Sequence, residues 1–258
     1  MSFQCLLYHG LYRDLSEIRG KPRREYLSVE DFKAQVRWMI ETGHALLSLA
    51  RCRKLCDEGS LPPRAVCVTF DDGKRSDLTL AAPVLVREGC EATFFIVRGW
   101  IGHPESMALD QVKELSRIPG MEVGSHSLTH PFLSEMEVEG LVRETSGSRK
   151  FLEDLLGLSV ESFSYPFGDA SPAVVTAVKQ AGYRIGCSTL RGRNSHLPDW
   201  MMLRRWGVPE NAGVEGLSRI LSREAPSWGQ SAGEVVKRAV GMRRFVAWKD
   251  RWVRRGAE

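Results

Sequence analysis

Two adjacent carboxylates, Asp71 and Asp72, end the apolar run Val66-Cys67-Val68-Thr69-Phe70 and are followed at once by Gly73. Such a run reads as a buried strand and the glycine as a turn, so both acids stand where a strand gives way to a loop. Neighbouring side chains point different ways there. One carboxylate can enter a metal shell while its neighbour faces the attacking water, and metal-assisted hydrolysis needs both a ligand and a base. Asp-Asp-Gly by itself is also a common turn. A second segment, Gly124-Ser125-His126-Ser127-Leu128-Thr129-His130-Pro131, again follows an apolar strand. Its two imidazoles, four residues apart, converge if the chain turns helically after His126. One of the two carboxylates with His126 and His130 then makes a three-ligand metal set with a position open for water, as in catalytic sites, and the other carboxylate is left as the base.

Two further strand ends carry chemistry. In Ser164-Tyr165-Pro166-Phe167-Gly168-Asp169, Pro166 and Gly168 force an irregular turn that leaves the Phe167 N–H to donate to a developing oxyanion. A plain strand-to-helix turn fits that segment equally. In Tyr8-His9-Gly10, His9 ends the first strand and suits a general acid for a leaving amine near neutral pH. The alternative is a buried ring bonded to a neighbouring loop.

The elements that must position these residues alternate. Strands are predicted over Gln4–Tyr8, Ala45–Leu49, Ala65–Phe70, Ala92–Val97, Met121–Ser125, Ser162–Tyr165, Arg184–Ser188 and Leu203–Val208. Helices are predicted from Ser28 to a stop at Gly43, with Asp31 as the capping-box partner of Ser28, and over Ser76–Glu88, Leu109–Ile118, Ser134–Leu156, Pro172–Ala181 and Gly213–Arg223. The longest is interrupted at Ser146-Gly147-Ser148. The pattern is α/β, a distorted (β/α) barrel of about seven parallel strands with its chemistry at the strands' C-terminal ends. A single barrel domain is expected over residues 1–228, followed by a basic helical tail over 229–258.

Thr69-Phe70-Asp71-Asp72-Gly73 and His126-Ser127-x-Thr129-His130 resemble the first two motifs of the NodB-type polysaccharide deacetylases, the family-four carbohydrate esterases. The similarity runs from Tyr8 to about Pro209. Its order and spacing resemble the branch of poly-N-acetylglucosamine deacetylases of biofilm matrices, whose chains start with a Tyr-His strand. The resemblance implies a divalent ion, usually zinc, on Asp72, His126 and His130, with Asp71 as base. Most members place a leaving-group histidine in a late Leu-x-His motif, which is not found after residue 190 here; in this branch an N-terminal histidine fills that place, and His9 matches it. An arginine usually precedes the motif-three proline and tunes the base, whereas Ser164 and Tyr165 stand there in this chain. Leu203-Arg204-Arg205-Trp206 resembles the branch's Leu-Pro-Arg strand, making Arg205 the expected partner of Asp71. Asp199-Trp200 resembles the family's Asp-Trp motif and is expected at the acetyl pocket. The implied activity is hydrolytic removal of N-acetyl groups from N-acetylhexosamine units of a polysaccharide or lipid-linked glycan. An O-acetyl esterase, a small cyclic amide hydrolase and a non-catalytic glycan-binding protein are the alternatives on the same fold.

Composition is compatible with this. At 258 residues, with 43% hydrophobic and 26% charged residues, the chain can bury one large core and carries no mark of disorder. The six cysteines form no Cys-x-x-Cys pair and read as buried thiols. No secretion signal or membrane-length apolar run is visible, so the literal expectation is a cytoplasmic protein. The tail holds Lys237, Arg238, Arg243, Arg244, Lys249, Arg251, Arg254 and Arg255 against Asp250, interleaved with Phe245, Val246, Trp248 and Trp252. Either a solvated basic helix packed on the barrel or a peripheral membrane contact fits it. No nucleic-acid-binding motif accompanies the charge. Trp100, Trp200 and Trp206 lie beside predicted strand ends, where their rings can stack on sugars or pack in the rim.

Overall fold

The apolar runs become strands and the segments between them helices, in a computed structural model that describes residues 2–18 and 26–223. Strand β1 (Ser2–Tyr8) is followed by a short parallel pair, β2 (Gly10–Tyr12) and β3 (Tyr26–Ser28). Ser28 caps α1 (Val29–Glu41): its Oγ accepts from the Asp31 N–H at 3.0 Å, and Phe32, Val36 and Met39 line the buried stripe. Next come β4 (Ala45–Leu47), α2 (Leu49–Asp57), β5 (Ala65–Phe70), α3 (Ala82–Arg87), β6 (Ala92–Ile96), α4 (Leu109–Arg117) and β7 (Met121–Ser125). The chain continues through α5 (Val138–Val142), α6 (Ser148–Leu156), β8 (Ser162–Ser164), α7 (Pro172–Gln180), β9 (Ile185–Cys187), β10 (Asn194–Ser195), β11 (Trp206–Gly207) and α8 (Gly213–Leu221).

Several boundaries differ from the sequence reading for identifiable reasons. The strand expected over Ala45–Leu49 stops at Leu47, because the Ser48 side chain accepts from the Arg51 N–H and starts α2, a helix the apolar pattern concealed. The long helix expected over Ser134–Leu156 is split into α5 and α6 by a π-helical turn at Arg143–Gly147. A second π-helical turn, Asp77–Ala81, precedes α3. Such turns insert one residue and re-aim the side chains around them. The basic tail over residues 229–258 lies outside the described residues, and no described helix is long and apolar enough to cross a membrane.

The parallel strands run in the order β1-β5-β6-β7-β8-β9. β1 pairs along β5 from Gln4↔Val66 to Tyr8↔Phe70, while β4 takes the beginning of β5's other edge and β6 its end. The segment 203–207 joins the two sides: Leu203 bridges to Cys187 of β9, and Trp206-Gly207 pairs with Leu6-Leu7 of β1. The sheet thus curls into the distorted (β/α) barrel expected.

Both strand faces are buried, so the runs are apolar throughout. Val66, Val68 and Phe70 face the helices with Phe32, Val36, Val112 and Leu115, whereas Ala65 and Cys67 face inward with Phe3, Cys5, Phe95 and Cys187. All six cysteines are free thiols. Helix α2 closes the floor of this interior. Leu49 and Cys52 pack into it, the Leu49 N–H donates to Thr93 Oγ1 at 2.9 Å, and the Ala50 N–H donates to Glu122 Oε2 at 2.9 Å. The opposite end, where β1, β5, β7 and β8 finish, carries the polar residues singled out above.

Candidate active site

Asp71 and Asp72 follow β5 directly, His126 follows β7, His9 follows β1, Phe167 lies three residues beyond β8, and Arg205 immediately precedes β11. The connecting backbone is unusual. Asp72 (φ 82°), Ser127 (68°), His130 (61°) and Phe167 (57°) are four of the five non-glycine residues with positive φ among the described residues. Each such residue costs about 1–3 kcal/mol, and this strain clusters where function is built. Gly73 (φ 64°) continues the turn after the acids, and a Cβ there would stand 3.0 Å from Ile96 Cδ1. The helical turn expected after His126 is not formed. The two histidines converge because the left-handed residues fold the loop back, with the His130 N–H donating to Ser127 Oγ at 2.9 Å.

This loop brings His126, His130 and Asp72 together. The Nε2 atoms of His126 and His130 lie 3.8 and 3.9 Å from Asp72 Oδ1, and one ligand atom of each of the three residues falls within 4.8 Å of the others. An ion about 2.1 Å from each donor sets donor pairs roughly 3.4 Å apart, so the two Asp72–imidazole pairs stand within a few tenths of an ångström of the spacing that would hold one. The outer contacts fit too: His126 Nδ1 lies 2.7 Å from the Ser164 carbonyl oxygen, which turns Nε2 toward the acids. Burial, followed by the nearby His126, lowers the His130 pKa to about 3, so this imidazole is neutral and able to coordinate across the physiological range. Its ring is flanked by Trp100 and Phe167, with centroids 4.9 and 4.5 Å away. Burial pushes the Asp72 carboxyl up, but His9, His126 and Lys74 together hold it below its usual range; Lys74 Nζ lies 3.4 Å from Oδ2, the oxygen turned away from the imidazoles.

Asp71 sits beside this cradle in a different setting. Its Oδ2 is 3.8 Å from His126 Nε2, and both oxygens are gripped by the buried Arg205 guanidinium, Nη1 to Oδ1 at 2.7 Å and Nη2 to Oδ2 at 2.8 Å. All five donors of Arg205 are used. Nε donates to the Ser188 carbonyl at 3.0 Å, Nη1 also to Thr69 Oγ1 at 3.1 Å, and Nη2 also to Ser164 Oγ at 2.8 Å. The Ser164 hydroxyl in turn donates to Asp71 Oδ2 at 3.1 Å. Burial raises the Asp71 carboxyl, but Arg205 and then His126 outweigh it and hold the group ionised well below the ordinary carboxylate range. His9 is half-buried and close enough to lower both carboxyls as well.

At motif three the Gly168 and Asp169 N–H groups donate to Tyr165 and Pro166 carbonyls, and neither bond uses the Phe167 N–H. Two tryptophans lie elsewhere. Trp200 stacks on Phe3 (5.8 Å) under Arg53, at the barrel's floor, so Asp199-Trp200 is not part of the acetyl pocket expected from its motif. Trp206 is buried in the helix-facing core, which leaves Trp100 as the ring beside the site. In the sequence Ser164 stands out only as an arginine's replacement, Thr69 only as part of a motif, and Lys74 not at all; an inward-facing hydroxyl on a buried strand is the available signal for the first two.

The family model for polysaccharide deacetylase matches residues 58–186, half of the chain. YxkH of Bacillus subtilis is 27% identical over 188 residues, which are 72% of this chain and 66% of that protein. A poly-beta-1,6-N-acetyl-D-glucosamine N-deacetylase of Staphylococcus aureus is 24% identical over 177 residues, 63% of this chain and 60% of the relative. The chain thus spans less than two thirds of the length of these relatives. Among solved structures, the Streptococcus pyogenes deacetylase PplD in complex with acetate superposes with a TM-score of 0.78 at 22% identity, covering 86% of this chain and 99% of that one, and so shares the fold.

Proposed function

Because the chain belongs to the polysaccharide deacetylase family, we propose that it is a metal-dependent hydrolase that removes N-acetyl groups from N-acetylhexosamine units of a polysaccharide or lipid-linked glycan. The observation that carries this reading is the pairing of an ionised, arginine-held carboxylate with a three-donor cradle at one rim of the barrel. The donor set of one carboxylate and two imidazoles suits zinc and leaves a position open. When bound, such an ion polarises a carbonyl and lowers the pKa of water toward 7, which a base as weak as Asp71 requires.

The chain's own residues supply the remaining steps. Asp71, kept ionised by Arg205, accepts a proton from the attacking water as its oxygen bonds to the acetyl carbon. The Phe167 N–H donates to the developing oxyanion. His9, near enough to both acids to lower their carboxyls, protonates the amine nitrogen as the carbon–nitrogen bond breaks, leaving acetate and a free amine. Trp100 and Phe167 wall the cradle with apolar surface, which limits water around the reacting group. The test is acetate release from oligomers of β-1,6-linked N-acetylglucosamine, with and without chelator. Release that stops on chelation, returns with zinc, and is lost in an Asp71→Asn enzyme that still binds zinc is the expected result. Chelator-insensitive release, or full activity in Asp71→Asn, would overturn the proposal.

A further inference from the structure

Glu144 is a helix residue only 2% exposed, yet its carboxylate is directed wholly at the loop that carries the two histidines. Oε2 accepts from the N–H groups of Leu128 and Thr129, both at 2.9 Å, and Oε1 accepts from the Thr129 hydroxyl at 2.7 Å. Burying a carboxylate costs several kcal/mol unless its oxygens are bonded, so these three donors are what make the position tolerable. They come from the residues between His126 and His130 and from nowhere else.

That loop needs an external hold. It contains two non-glycine residues in left-handed conformation, Ser127 and His130, and a relaxed chain would leave both. Its opposite edge is held by the turn after β6, where the Gly99 N–H donates to the Leu128 carbonyl at 2.7 Å and the Arg98 N–H to the Ser127 carbonyl at 3.3 Å. Leu128 is therefore held through its carbonyl on one side and through its N–H, by Glu144, on the other. Glu144 lies in the π-helical turn Arg143–Gly147, whose buried residues are Glu144 and Thr145. Gly147 in the same turn leaves room for Leu128, whose Cδ1 would stand 3.0 Å from a Cβ at that position.

We propose that Glu144 is a positioning residue for the metal site: it holds the 127–130 loop in the one conformation that brings His130 to the ion. The inference rests on the cradle being a metal site, as argued above. Loss of an outer contact of this kind weakens metal binding about 10- to 100-fold.

The test is zinc affinity of the metal-free protein, measured by competition with a chromophoric chelator. Glu144→Ala should bind zinc at least about tenfold more weakly. Glu144→Gln should recover most of the loss, since its amide oxygen can accept both N–H groups and its NH2 can donate to Thr129. Glu153→Gln, altering a helix glutamate that accepts from the Val160 N–H at 3.0 Å away from the site, should leave zinc affinity at the wild-type value. Folded Glu144→Ala with wild-type affinity, or an effect equalled by Glu153→Gln, overturns the inference. Should Glu144→Ala fail to fold, Thr129→Val against Thr129→Ser decides, because only the second keeps the hydroxyl; equal affinity in those two overturns it likewise. Wild-type protein that takes up no zinc overturns the function proposed above and this inference together, whereas wild-type binding with an indifferent Glu144 overturns the inference alone.

Discussion

Removing Arg205 is the most informative perturbation of this site, because the guanidinium, with two charged hydrogen bonds, is the largest influence opposing the effect of burial on Asp71. In Arg205→Met the carboxylate keeps only the Ser164 hydroxyl at 3.1 Å as a hydrogen-bond partner from this cluster. Breaking a buried ion pair from one side costs about 3–5 kcal/mol, two to nearly four orders of magnitude in the folding equilibrium. An opposite charge in contact lowers a carboxyl pKa by about 1–3 units, so its removal raises the Asp71 value by a similar amount.

The sign of the pH dependence follows from these two terms. In the wild type the folded Asp71 carboxyl lies below its unfolded value of about 3.9, so the pair contributes its full stability above that pH and loses it as pH falls further. In the variant the folded value rises toward the unfolded one, so the stability that the wild type loses below about pH 4 is already absent, and the gap between the two proteins narrows on acidification through that range. Urea unfolding of metal-free protein at about pH 7 and about pH 3 measures the first effect, and the acid limb of kcat/KM, shifted upward by about one unit or more, measures the second. Arg205→Lys keeps the charge but not the planar fork, so it should fall between. An Arg205→Met protein within about 0.5 kcal/mol of wild type, with an unmoved acid limb, would refute the argument that this pair sets the base.

Four further perturbations separate the parts of the site. Ser164→Ala removes two buried hydrogen bonds and should cost about 1–3 kcal/mol in urea unfolding, with a smaller upward shift of the acid limb than Arg205→Met. Gly73→Ala places a Cβ against Ile96 in a left-handed turn, and an unfolding free energy lowered by about 1–3 kcal/mol is expected, with activity falling because the turn carries Asp72. Trp100→Ala should raise KM for oligomers about fivefold with kcat nearly unchanged, as loss of one stacked ring is worth about 1 kcal/mol; an unchanged KM would place the sugar elsewhere. Zinc at a hundred times its dissociation constant should stabilise the protein by about 2.7 kcal/mol over the chelated form, and a melting temperature indifferent to zinc would count against the cradle.

What was legible in the sequence is what local pattern controls. The apolar run before Asp71 dictated β5 and its turn, and Ser28 with Asp31 dictated the start of α1. The helix α2 was hidden because its buried face follows directly on the apolar strand β4, and only the capping of Arg51 by Ser48 separates the two. The π-helical turns were hidden for a related reason. One inserted residue barely disturbs a helical period, yet it decides which side chain points inward, and so Glu144 passed unnoticed. Trp200 was misplaced because a two-residue motif gives no depth along the barrel, and its ring packs against Phe3 at the floor.

The replacement of the motif-three arginine shows why residue identity at a sequence position is a weak guide to a barrel's interior. Every strand directs alternate side chains at the same enclosed volume, so a group needed beside Asp71 can be supplied from any strand whose inward position lies at the right height. Ser164 on β8 is too short to reach with charge, and Arg205, entering from the segment that joins β9 to β1, reaches across to both oxygens. The serine is not idle in this arrangement: its hydroxyl completes the guanidinium's fifth bond, while its carbonyl turns His126 toward the acids. A larger residue at 164 would compete with the Arg205 fork for the same space, so the two positions are coupled. Ser164→Ala and Arg205→Lys should accordingly give a combined loss different from the sum of the two, and additivity within about 0.5 kcal/mol would show that they act independently.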